Sequence, residues 1–130
     1  MAKVTQLVLT LQNKPGVLAN LCKVLGDAGV NVEALCAPEA PGKGRLRLVV
    51  DDAAKAEAAL KGAKIRAGKE EAIRVTLDNK PGALADAARK LAAAKVNIKC
   101  AYATTVGPGG TATVVLSVAN ADKAAAVLGG

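Results

Sequence analysis

The sequence predicts an α+β protein built from two like units in tandem, each an antiparallel sheet with helices on one face. Three observations carry that expectation. The stretch Asn13-Lys14-Pro15-Gly16-Val17-Leu18-Ala19 returns 66 residues later as Asn79-Lys80-Pro81-Gly82-Ala83-Leu84-Ala85. At the same offset Thr10-Leu11 matches Thr76-Leu77, Leu25 matches Leu91, Val30-Asn31 matches Val96-Asn97, Gly44 matches Gly110 and Val49 matches Val115. In both copies the apolar period changes from two before the motif to 3.6 after it, as at a strand-to-helix junction. Each copy is therefore read as one supersecondary unit, residues 1–68 and 69–130.

In the opening strand, residues 4–11, Leu7, Leu9 and Leu11 alternate with polar neighbours, as Ile73, Val75 and Leu77 do in the second copy. The helix is expected over 15–28, with Leu18, Leu21, Cys22, Leu25 and Ala28 at helical spacing, echoed by Leu84, Ala87, Ala88, Leu91 and Ala94. Pro15 and Pro81 suit a first helical turn, where no partner for the N–H is lost. Gly29 suits a left-handed helix end, and Lys95 stands there in the second copy. Val30 to Cys36 and Val96 to Ala103 read as second strands. They are followed by breaker-rich loops, 37–44 and 104–110, expected to be mobile hairpin tips, and then by third strands at 45–50 and 111–118. Alanine-rich helices are expected over 52–61 and 120–128, with Asp52 capping the first. Ala63 to Ala67 reads as a fourth strand without a counterpart in the second copy. Strand-helix-strand-strand-helix-strand is the ferredoxin-like arrangement. A copy lacking its last strand leaves a sheet edge to be covered, so a homodimer is expected.

Composition narrows the function. Apolar residues form 52% of the chain but aromatics only 1%, so the core must be Val, Leu, Ile and alanine. The net charge of +7 divides as +4 and +3 between the two copies, without basic runs, which reads as a solvated surface rather than a nucleic-acid footprint. With no histidine, Cys-His and Ser-His catalysis and histidine zinc sites are excluded. Asp51-Asp52 is an adjacent carboxylate pair, but strand neighbours point to opposite faces. No enzyme activity and no cofactor is expected. Cys22, Cys36 and Cys100 are expected to be buried, inert thiols. Their odd number, with no signal-like start, argues for a reducing cytoplasm, and no apolar run reaches membrane-spanning length.

The repeated turn can bind or merely cap. Free helix N-terminal amides favour a carboxylate, and an asparagine amide can both accept and donate, so a zwitterionic amino acid fits. Asn-Lys-Pro-Gly is equally an ordinary turn-and-cap sequence.

The Asn-Lys-Pro-Gly-x-Leu-Ala turn, with Gly-Val-Asn-Val leading the second strand, resembles the ACT domain family, small regulatory modules that bind amino acids. The paired arrangement is similar to free-standing tandem ACT proteins of bacteria. The resemblance implies ligand contacts at an interface between two domains. By position these are Asn13, Pro15, Gly16, Val17, Leu18 and Asn31, and Asn79, Pro81, Gly82, Ala83, Leu84 and Asn97. Some members carry a histidine two residues before the first asparagine, where this chain has Leu11 and Leu77. The expected function is an amino-acid-responsive sensor acting on an enzyme or regulator protein. The alternatives are a ligand-free dimerisation module and an RNA-binding ferredoxin-like domain, the latter short of aromatics for stacking bases.

Overall fold

A computed structural model describes residues 2–38, 42–105 and 109–129. Ten elements occur among them: β1 (Ala2–Gln12), α1 (Val17–Asp27), β2 (Val32–Cys36), β3 (Lys43–Val50), α2 (Ala53–Gly62), β4 (Gly68–Asp78), α3 (Ala83–Ala93), β5 (Ile98–Thr105), β6 (Thr111–Val118) and α4 (Ala121–Val127). They fall into two compact units. Thr5–Glu70 forms the first, and Glu71–Gly130 with Met1–Val4 forms the second.

In the first unit β3 lies between β1 and β2 and runs antiparallel to both. Helix α1 therefore joins two parallel strands that are not neighbours, which is the split crossover of a ferredoxin-like unit. In the second unit β6 lies in the same way between β4 and β5. Both units carry a bulge at the start of the edge strand, between Val32 and Ala34 and between Ile98 and Cys100.

The two units correspond element by element, but not at one offset. β1 and β4, and α1 and α3, keep the 66-residue spacing, whereas β3 and β6 start at Lys43 and Thr111, 68 apart. Thus Leu7 pairs with Leu48 where Ile73 pairs with Leu116. The matches expected between Gly44 and Gly110 and between Val49 and Val115 are therefore corrected. Gly42 is the residue equivalent to Gly110, since each accepts the N–H that closes its turn, from Asn13 and Asn79 respectively.

The cores follow the corrected alignment. Leu7, Leu9, Leu25, Val30, Leu46, Leu48, Val50 and Ala56 are matched by Ile73, Val75, Leu91, Val96, Val114, Leu116, Val118 and Ala124. Leu21 is matched by buried Ala87. The exchanges Leu9 to Val75, Leu21 to Ala87 and Leu46 to Val114 remove about five methylene groups, about 4 kcal/mol of burial. At these three buried positions the second unit carries the smaller side chains.

Other expectations meet the structure differently. Residues 63–67 form no strand. Lys64 turns the chain through a left-handed conformation (φ 62), and the Ile65 N–H donates to Leu60 O at 2.8 Å, so the segment closes α2 instead of entering a ladder. The strand begins at Gly68 as β4, and Glu70 within it accepts from the buried Gln6 amide (2.5 Å) and from Arg47 Nε (3.2 Å). Pro15 and Pro81 precede the helices, whose N-caps are Gly16 and Gly82. Only Leu21 and Leu25 are buried on α1, so Leu18 and Cys22, at the edge of the apolar stripe, are exposed. Cys36 and Cys100 are half-buried because they lie on edge strands. Lys95 keeps the left-handed conformation of Gly29 (φ 61 and 74). Asp52 caps α2 by accepting from the Lys55 N–H at 3.1 Å. The tips of the two loops, at 39–41 and 106–108, lie outside the described residues.

In the second unit Lys3 Nζ meets Asp122 at 2.6 Å and Glu71 at 3.2 Å. These hydrogen bonds, Asp122 first, raise its pKa above the usual 10.5. No helix among the described residues is long and apolar enough to cross a membrane.

Candidate functional site

The repeated turn is fixed at both ends. β1 stops where the Asn13 N–H donates to Gly42 O (2.6 Å), and β4 stops where the Asn79 N–H donates to Gly110 O (2.9 Å). Gly16 and Gly82 then adopt φ values of 88° and 90° and open α1 and α3. A Cβ at either glycine would meet nothing within 4 Å, so the requirement there is for the left-handed backbone and not for space. Because a glycine is the N-cap, no side chain among the described residues satisfies the first amides of either helix. The N–H groups of Leu18 and Ala19 find no acceptor among the described residues, and Leu84 and Ala85 repeat this. Unsatisfied amides at the positive end of a helix are an anion-binding arrangement.

Two clefts flank the first turn. One, of about 190 Å³, is bordered by Leu11, Asn13, Lys14, Val17 and Leu18 from the turn, with Pro38 and Arg45 beyond β2 and on β3. The other, of about 370 Å³, is bordered by Lys14, Pro15, Gly16, Val17 and Asn20, with Ile65 across from them. Five of the six site residues expected in the first unit thus border clefts around one turn. Asn31 is elsewhere. Gln12 pairs with Lys43 at one end of β3, while Val32 pairs with Val50 at the other. Asn13 and Asn31 are separated by the length of that strand, roughly 25 Å at about 3.3 Å per residue. The Asn31 backbone is clasped there by Asp51, whose carboxylate accepts its N–H at 3.0 Å and whose own N–H donates to Asn31 O at 3.0 Å.

In the second unit Asn79, Pro81, Gly82, Ala83 and Leu84 repeat the turn, and Asn97 again lies at the far strand end, its carbonyl accepting from the Ala119 N–H at 3.1 Å. The electrostatics differ. Lys80 Nζ lies 3.9 Å from the Asp78 carboxylate, where the first unit has neutral Gln12. The register places Thr113 where the first unit has Arg45, since Thr10 pairs with Arg45 and Thr76 with Thr113. Lys14 and Arg45 therefore make the first turn the more cationic. Sequence reading gave neither residue a role. The lysine belongs to the motif, but Arg45 joins it only through β1–β3 pairing.

Among the described residues no cluster of Cys, Asp and Glu could hold a metal.

No curated protein sequence matches the chain. A solved structure of a Bacteroides thetaiotaomicron protein is 34% identical, with a TM-score of 0.88 over 97% of this chain and 86% of that one. The ligand-free regulatory subunit of aspartate kinase from Thermus thermophilus shares the fold at 19% identity, with a TM-score of 0.71 over 98% of this chain and 93% of that one. The corresponding subunit from Thermus flavus gives 18% and 0.66, over 97% and 90%. A family model described as an ACT domain pair matches residues 2–129. With its duplicated Pro-Gly turn and two ferredoxin-like units, the chain belongs to the ACT domain family as an ACT domain pair.

Proposed function

We propose that this ACT pair is a regulatory protein that responds to a small amino acid, and that the first turn receives the ligand's carboxylate. The observation that carries the proposal is the cleft at 13–18, where free helix amides, Lys14 and Arg45 converge. A carboxylate there answers both the helix dipole and the side-chain cations. Asn13 borders the same cleft and is suited to the ammonium through its carbonyl oxygen. Within one unit Asn13 and Asn31 are a strand length apart, so no small amino acid touches both there. Regulatory subunits with the same fold support the reading. The signal goes to a regulated enzyme or regulator protein through a change in the population of states that bind the ligand unequally. Three cysteines, an odd number, suit the reducing cytoplasm.

A thermal-shift screen of the twenty amino acids tests this. At 100 times its dissociation constant a ligand adds about 2.7 kcal/mol of apparent stability. Asn13→Ala and Arg45→Ala are expected to remove the shift produced by one amino acid. No shift with any amino acid, or a shift that survives both substitutions, would sink the assignment.

A second reading has its own observation. Leu18 and Leu84, equivalent residues, are 43% and 48% exposed, which suits a contact surface in a homodimer. Light scattering that finds only monomer at micromolar concentration removes it.

A further inference from the structure

Three cations from one short stretch, Lys61-Gly62-Ala63-Lys64-Ile65-Arg66, border a single cleft. Lys61 lies in the last turn of α2, Lys64 makes the left-handed turn after the helix, and Arg66 follows on the segment leading to β4. With Glu57, Ile65 and Ala67 they border a cleft of about 520 Å³. The Glu57 carboxylate is met by Lys69 Nζ at 3.5 Å. Lys61, Lys64 and Arg66 make no ion pair among the described residues. Like charges held around one concave surface repel, and an anion that enters relieves the repulsion.

We propose that this cleft binds a small polyphosphate anion, inorganic pyrophosphate or the phosphates of a nucleotide. Three cations match a multiply charged ligand, and a guanidinium offers a planar fork to phosphate oxygens. Ile65 and Ala67 add an apolar border against which the rest of a nucleotide can lie. One site per chain is expected, because α4, the counterpart of α2, has no basic residue in its last turn. The site stands independently of amino-acid binding. The two are nevertheless physical neighbours, since Ile65 borders both this cleft and the larger one at the Pro15-Gly16 turn.

Calorimetric titration of the full chain with inorganic pyrophosphate and with ATP tests the site, at low salt and again at about 150 mM. Saturable binding of one anion per chain is expected, weakened at least about tenfold by Lys61→Ala with Arg66→Ala. Lys23→Ala with Lys90→Ala removes the same charge from α1 and α3 and is expected to leave binding unchanged. ATP binding more tightly than pyrophosphate assigns a nucleotide, and equal binding assigns the free anion. The proposal is overturned by no saturable binding of either probe, or by equal weakening in the two double variants, which marks diffuse attraction. Binding of single-stranded RNA alone overturns it in favour of nucleic acid.

Discussion

Two glycines in one short segment should respond to the same substitution with opposite sign. Gly16 sits at φ 88° before α1 and Gly26 lies inside that helix, and a Cβ at either meets nothing within 4 Å. With no steric term, only backbone conformation decides. Alanine at position 16 must hold the left-handed conformation, at about 1–2 kcal/mol. Its stiffer unfolded chain returns about 0.4–1 kcal/mol, leaving a net loss near 1 kcal/mol. Alanine at position 26 gains helix propensity of up to about 1 kcal/mol, and about half of that so close to the helix end. The two variants should therefore differ by about 1.5 kcal/mol. Urea denaturation followed by circular dichroism should separate their midpoints by roughly half a molar or more, one on each side of the parent. A neutral or stabilising Gly16→Ala would refute the left-handed N-cap, and a destabilising Gly26→Ala would refute the open helical setting.

Native-state hydrogen exchange is expected to give lower opening free energies to the amides of β5 and β6 than to those of β2 and β3, because the second core is about 4 kcal/mol poorer in burial; equal protection contradicts that account. In a thiol-labelling time course Cys22 should react first, since it is exposed while Cys36 and Cys100 are half-buried. Simultaneous labelling of all three would mean that the edge strands open as freely as the helix surface.

Much of the fold is legible because the motif is specific. Pro-Gly followed by an apolar helical period has few alternative readings, and it marks the start of α1 and α3 to within two residues. The hairpins are less legible. A glycine in a breaker-rich loop matches almost any other glycine, so Gly44 could be set against Gly110 until ladder pairing identified Gly42. Residues 63–67 alternate like a strand, but alternation does not reveal that Lys64 turns left-handed and leaves the segment outside a ladder. The turn is legible as a candidate site, whereas the distance from Asn13 to Asn31 depends on the length and direction of β3. Lys61, Lys64 and Arg66 are close in sequence, but that they border one cleft depends on the left-handed turn at Lys64. No single periodicity covers all three.

The change of offset from 66 to 68 says how these units tolerate insertion. The second copy carries 103–109 between Tyr102 and Gly110 where the first carries 37–41 between Cys36 and Gly42. The β5–β6 ladder runs three pairs past Tyr102–Val115, to Thr105–Ala112, whereas the β2–β3 ladder stops at the equivalent Cys36–Arg47. With two extra residues every side chain downstream keeps its face, and Val114, Leu116 and Val118 still point inward. A single added residue has no such neutral solution, because it must either reshape the turn or shift the pairing by one and expose that row. For protein engineering, an insertion of two residues between Cys36 and Gly42 is expected to leave the inward row of β3 facing the core.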